Sequence, residues 1–138
     1  MFVLDSSVTF TWLFREEQTP VTDGILERLQ NDGAIVPALW HLEVANVLIQ
    51  AEKRKRITAK RTNEFIEILE QLPITTEATR IWLCFHDLVP LSRRHQLTVY
   101  DATYLDLAKR LALPLATLDS ALRRAADAEG IPLLPETV

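Results

Sequence analysis

Glycine is scarce, with three in 138 residues. A glycine-rich phosphate loop needs several close together, so that mode of nucleotide binding is excluded. Cysteine is scarcer still. The single Cys84 cannot form an internal disulfide, and a reducing, cytoplasmic setting is expected. Its apolar neighbours, Trp82 to Phe85, predict a buried core thiol. No apolar run approaches the ~18 residues needed to span a bilayer, so no membrane association is expected. Residues 1–5 lack the basic start and longer apolar stretch of a signal peptide. Excess positive charge is also missing. The net charge of −4 excludes a protein that coats nucleic acid by bulk charge alone.

What is present reads as a globular chain, with 48% hydrophobic and 25% charged residues. Residues 1–138 form a single expected domain, long enough for a real core. No repeat, low-complexity segment or long linker interrupts it. Short apolar runs at 2–4, 34–36, 73–75, 115–117 and 132–134 read as strands. Between them lie helical patterns. The first covers 8–15. A second covers 20–30, with Pro20 in its first turn and Gly33 past its end. A third runs from Pro37 to about Lys55. A fourth covers 58–72 and is capped by Thr58. A fifth covers 77–88, with a break near Pro90. The last two cover 98–111 and 120–129. This alternation predicts an α/β fold: a central parallel sheet of about five strands with helices on both faces.

Four acids stand out by position. Asp5 directly follows the first strand, and ligands of open α/β sheets bind beyond the carboxyl ends of strands. Asp-Ser-Ser is equally good helix-start chemistry. Asp119 follows the fourth strand in the same way. It also suits an N-cap, and a capping carboxylate keeps lone pairs for a cation. Asp101 lies three residues after Thr98, as in a capping box. It shares a helical face with Leu105 and Ala108, and a carboxylate on an apolar stripe needs a partner. Glu43 lies in a mostly apolar helix and lines up with Asn46 and Gln50. That stripe is either the solvent side or the wall of a polar cleft in which Asn46 supports Glu43. His41 lies nearly opposite and reads as structural or surface. Asp106 is turned by about 140° from Asp101 on the helical wheel, which removes it from any shared site.

Two carboxylates at ~4 Å repel by roughly 4 kcal/mol at an effective dielectric of 20. If these four converge, a hard divalent cation with oxygen ligands is expected among them. Set those four aside and the remaining charge is neutral. Cations for an anionic ligand are concentrated at Lys53, Arg54, Lys55 and Arg56, with Lys60 and Arg61 nearby. Arg93–Arg94 and Arg123–Arg124 are smaller groups. Each also suits a solvated helix end.

The chain resembles the PIN-domain nucleases, in particular the VapC-type toxins of prokaryotic toxin–antitoxin systems. The resemblance spans nearly the whole sequence. It rests on Phe2-Val-Leu-Asp-Ser-Ser-Val8 with Trp12, on Glu43-Val-Ala-Asn-Val-Leu48, on Tyr100-Asp-Ala-Thr-Tyr-Leu-Asp-Leu-Ala108, and on Leu115-Ala-Thr-Leu-Asp-Ser-Ala-Leu122. It implies a PIN-like fold and Mg²⁺-dependent RNA cleavage, with Mn²⁺ able to substitute. The family's acidic positions fall on Asp5, Glu43, Asp101 and Asp119, as catalytic and metal-holding residues. Its supporting hydroxyls fall on Ser6 or Ser7 and on Thr117. Lys53, Arg54, Lys55, Arg56, Arg93 and Arg94 are candidate RNA contacts. The implied partners are an RNA substrate, a small antitoxin protein and a second copy in a homodimer. Alternatives are a PIN-like nuclease with a non-toxin role in RNA or DNA processing, and a non-catalytic RNA- or partner-binding module. A haloacid-dehalogenase-like phosphatase would need an acid where Ser7 stands. Trp40, Val44 and Leu48 suit either the core or a dimer surface.

Overall fold

The computed structural model describes residues 1–78 and 80–138, with Ile81 described by its backbone alone. Five strands form one parallel sheet: β1 (Phe2–Leu4), β2 (Ala34–Pro37), β3 (Ile74–Glu77), β4 (Leu115–Ala116) and β5 (Leu133–Leu134). Their order is β3-β2-β1-β4-β5. Every residue of β1 is fully buried, as expected of a central parallel strand covered on both faces.

The helices are α1 (Ser6–Leu13), α2 (Pro20–Asp32), α3 (Leu39–Lys53), α4 (Ala59–Gln71), α5 (Val89–His95), α6 (Val99–Leu111) and α7 (Ser120–Ala128). Right-handed crossovers from β1 to β2 to β3 put α1–α4 on one face. The chain then reverses direction across the sheet, so α5–α7 cover the other. The packing agrees: α1 touches α2 and α3, while α6 touches α5, α7, β1, β2 and β4. The reversal makes a topological switch point between β1 and β4. Ligand sites of open α/β sheets form at such points.

Local chemistry explains most boundaries. Thr19 caps α2 and exchanges reciprocal hydrogen bonds with Thr22. Gly33 ends that helix at φ +78°, and a Cβ there would meet the Pro73 carbonyl at 3.3 Å. Thr58 caps α4 and Thr98 caps α6. Trp40, Val44 and Leu48 point into the core, where Trp40 Nε1 donates to Thr9 Oγ1 at 3.1 Å. They are core, not an exposed dimer surface. No helix among the described residues is long and apolar enough to cross a membrane.

Four expectations need correction. Pro37 does not open α3. It ends β2, opposite Glu77 of β3, and α3 starts at Leu39. The pairing with β1 stops at Ile35, so the missing Pro37 amide is not needed there. The expected helix over 77–88 is not one helix either. Glu77 closes β3, Ile81–Leu83 forms a 3₁₀ turn, and Cys84–Leu88 forms a π-helical turn. Thr79, inside that expected span, lies outside the described residues. There is no break at Pro90, because Pro90 sits in the first turn of α5, where an amide is dispensable. This irregular segment runs along the surface. Trp82 and Phe85 are exposed, and Cys84 is half-buried rather than a core thiol.

Candidate metal centre

Asp5 occupies the N-cap position of α1, yet its side chain makes no capping bond. It turns instead toward the switch point. Oδ2 accepts from Ser7 Oγ at 2.6 Å and from Thr117 Oγ1 at 2.7 Å. Asp5 is 4% exposed and Thr117 is fully buried. The Asp5 amide donates to the Ala116 carbonyl at 3.0 Å, so β1 and β4 deliver both residues to one spot. Ser7 Oγ also accepts from the Leu118 amide at 3.0 Å, and Thr117 Oγ1 from the Asp119 amide at 3.1 Å. These hydroxyls thus hold the carboxylate and the β4–α7 turn together.

Asp119 does cap α7. Its Oδ2 accepts from the Leu122 amide at 2.8 Å. Asp101 sits in the first turn of α6, where its amide donates to the capping Thr98 Oγ1 at 3.1 Å. The Thr98 amide does not donate to the Asp101 carboxylate, so a reciprocal capping box is not formed. Glu43 reaches across from α3. Its Oε1 accepts from the Tyr104 hydroxyl and, at 3.4 Å, from Ser6 Oγ. Of the two serines, Ser7 therefore serves Asp5 and Ser6 serves Glu43. Asn46 does not support Glu43. It is exposed, and the Glu43 partners among the described residues are Ser6 and Tyr104.

Asp5, Glu43 and Asp101 are each raised by burial and by neighbouring carboxylate charge. Burial pushes the Asp5 carboxyl up, the Ser7 and Thr117 hydroxyls oppose that, and the Asp119 charge adds to it. Burial raises Glu43, with Tyr104 opposing and the Asp5 charge adding. Asp101 is pushed up to about 6, by burial first and then by the charges of Asp119, Asp5 and Glu43. None of the four has a Lys, Arg or His partner among the described residues. Other partly buried acids nearby do. Asp106 pairs with Arg110 at 2.8 Å, and Glu77 meets the same Arg110 at 2.7 Å. Asp106, turned away from Asp101 on the helical wheel, is taken up by that ion pair.

An uncompensated set of carboxylates is the donor chemistry of a hard divalent cation. Among the described residues, no three His, Cys, Asp or Glu side chains are gathered tightly enough to make a ready ligand cluster. The acids are coupled through space rather than packed around one point.

Tyr104 escapes the sequence reading, and Arg123 enters it only as one of the smaller basic groups. Tyr104 lies one helical turn beyond Asp101, and a Tyr on a core-facing stripe needs a partner for its hydroxyl. Arg123 donates to the Thr117 carbonyl at 2.8 Å and to the Pro135 carbonyl at 2.7 Å. It ties the end of β4 to the C-terminal segment, which no local signal announces. The basic residues divide. Lys53, Arg54, Lys55 and Arg93 are exposed. Arg56 lies over the Phe14 ring and pairs with Glu16 at 2.6 Å. Arg94 pairs with Glu129 at 3.0 Å, which also holds His95 and Lys109.

Comparison with known proteins bears on the fold and the family. Ribonuclease VapC3 from two strains of Mycobacterium tuberculosis is 28% identical over 123 residues, covering 89% of this chain and 85% of the relative. The crystal structure of PAE2754 from Pyrobaculum aerophilum superposes with a TM-score of 0.70 at 15% identity, covering 97% of this chain and 89% of that one. FitAcB from Neisseria gonorrhoeae gives a TM-score of 0.70 at 19% identity, covering all of both chains. At those identities the likeness is one of fold. The PIN domain family model matches residues 2–128, a span that takes in all four acids, and the chain belongs to the PIN domain family.

Proposed function

We propose that this chain is a divalent-cation-dependent endoribonuclease of the VapC type, acting as the toxin of a toxin–antitoxin pair. The observation that carries the reading is the unpaired acid set at the β1/β4 switch point. Asp5, Glu43 and Asp101 are raised by burial and by neighbouring carboxylate charge, and none of the four acids has a basic partner among the described residues, an arrangement that favours a bound cation. The likeness to a protein named Ribonuclease VapC3 favours RNA as the substrate. Membership in the VapC type would bring a small antitoxin and a homodimer.

Asp5, Glu43 and Asp101 would hold Mg²⁺ or Mn²⁺, directly or through water. When bound, the ion would lower the pKa of a coordinated water and offset charge on the phosphodiester. The chain supplies the rest. Ser7 and Thr117 fix Asp5, and burial keeps its carboxylate where water competes little. Asp119 uses Oδ2 for its cap, which leaves Oδ1 free to orient an attacking water. Lys53, Arg54, Lys55 and Arg93 are exposed cations, in no ion pair among the described residues, that can meet phosphates of the strand.

The test pairs wild type with Asp5→Asn. In cells, induced expression without neighbouring genes is followed by mapping of new RNA ends. In vitro, matched RNA and DNA strands are incubated with Mg²⁺ or Mn²⁺. New ends and growth arrest from wild type only, with RNA cut in preference to DNA, support the reading. Equal cleavage by Asp5→Asn would remove the acid site from the mechanism.

A further inference from the structure

Asp5 and Glu43 are held in the same manner. Each has one carboxylate oxygen that accepts two hydroxyl donors. For Asp5 the oxygen is Oδ2, held by Ser7 and Thr117. For Glu43 it is Oε1, held by Ser6 and Tyr104. No hydrogen bond to Glu43 Oε2 is formed among the described residues. Pinning one oxygen fixes the plane of the carboxylate and leaves the other free.

The two devices differ in strength. Asp5 is buried and closely held by two short bonds. Glu43 is only half-buried and comes from α3, on the opposite face of the sheet from α6. Its Ser6 bond is long at 3.4 Å. A glutamate with three side-chain torsions and one weak donor would sample several rotamers. Tyr104 removes that freedom. It is fully buried, anchored in the core by its ring, and its hydroxyl is aimed at Glu43 from across the sheet.

We propose that Tyr104 is a positioning residue for the acid site, holding Glu43 Oε1 so that Oε2 is the oxygen available to a divalent cation. The inference rests on the metal-site reading above and adds a residue to it. Partners of metal-holding carboxylates typically change metal affinity by 10- to 100-fold when removed.

Tyr104→Phe keeps the ring and deletes only the hydroxyl. Apparent Mn²⁺ affinity is read from the melting temperature across a metal titration, alongside the metal-free melting temperature. The expected result is a metal-free transition close to wild type and a Mn²⁺ midpoint raised by about 10-fold or more. The same substitution in a Glu43→Gln background should move the midpoint little further, because the group it positions is already lost. A Tyr104→Phe protein that binds Mn²⁺ like wild type overturns the inference, as does an equal loss in both backgrounds. If wild type itself shows no saturable Mn²⁺ effect, the site reading fails first and this inference falls with it. The two failures are thereby told apart.

Discussion

Thr117 Oγ1 donates to Asp5 Oδ2 at 2.7 Å, joining two residues that are 112 positions apart in the chain. The bond crosses the switch point between β1 and β4. It also leaves Thr117 Oγ1 accepting from the Asp119 amide. One hydroxyl thus sets the place of two of the four acids.

Thr117→Val keeps the shape and deletes that hydroxyl. It leaves a buried carboxylate one donor short and a backbone amide unpaired. An unsatisfied buried polar group costs about 1–3 kcal/mol. Urea unfolding at pH 7 should show a lower midpoint with an unchanged slope. Thr117→Ser retains the hydroxyl and should recover most of the loss of polar pairing. If valine is tolerated without loss, the hydroxyl is not what orders the site.

The acids oppose folding when no metal is present. Asp5 is buried, raised by burial, and lacks a cationic partner. Asp5→Asn removes the charge while keeping the size. The metal-free melting temperature at pH 7.5 should rise, and the stabilisation by millimolar Mn²⁺ should vanish. Scanning calorimetry with and without metal measures both effects. A variant that melts lower than wild type in chelator would contradict the electrostatic account.

The pH dependence follows from Asp101. Its folded-state pKa is about 6 against an ordinary 3.8. The folded state binds this proton more tightly, so its contribution to stability is complete below 3.8 and is lost as pH rises through about 6. Asp5 and Glu43 shift in the same direction. Glu129 shifts the other way, to about 2, held by His95, Lys109 and Arg94, so its window lies at lower pH. Metal-free stability should therefore fall between pH 4.5 and 7.5, and more steeply in wild type than in Asp101→Asn. Millimolar Mg²⁺ should flatten the wild-type curve by binding the ionised form. Parallel curves for the two proteins would show that Asp101 is not coupled to the site.

Much of this was legible in sequence because it is local. β1 is a continuous apolar run ended by Asp5, and its burial on both faces follows from that alone. Thr58, Thr98 and Asp119 are cap residues at helical starts, and they cap. The phase of α6 separated Asp101 from Asp106, which pairs with Arg110 instead. The failures have non-local causes. Asn46 shares a helical stripe with Glu43, but the donors that reach Glu43 come from α1 and α6. No periodicity within α3 contains them. The segment from Ile81 to His95 mixes 3₁₀, π and α geometry, and an apolar composition there does not mean burial. Cys84, Trp82 and Phe85 show this. Arg123 meets the C-terminal segment through backbone carbonyls, which carry no side-chain signature.

The basic residues separate into two classes with opposite expected behaviour. Arg56 is engaged by Glu16 and by the Phe14 face at 3.9 Å, so it supports the fold. Arg56→Ala should lower stability, with about 0.5–1 kcal/mol from the lost cation–π contact, and change RNA cleavage little. Lys53, Arg54 and Lys55 are exposed at the end of α3 and form no ion pair among the described residues. Replacing all three with Ala should leave the melting temperature within a degree or two and raise KM for RNA. If they contact phosphates of a single strand, each accounts for about 0.7 of the slope of log K against log salt. The triple variant should then lose about 2 from that slope. Cleavage measured from 50 to 200 mM salt reads it directly. An unchanged slope would place the RNA path elsewhere, with Arg93 the next exposed cation to test.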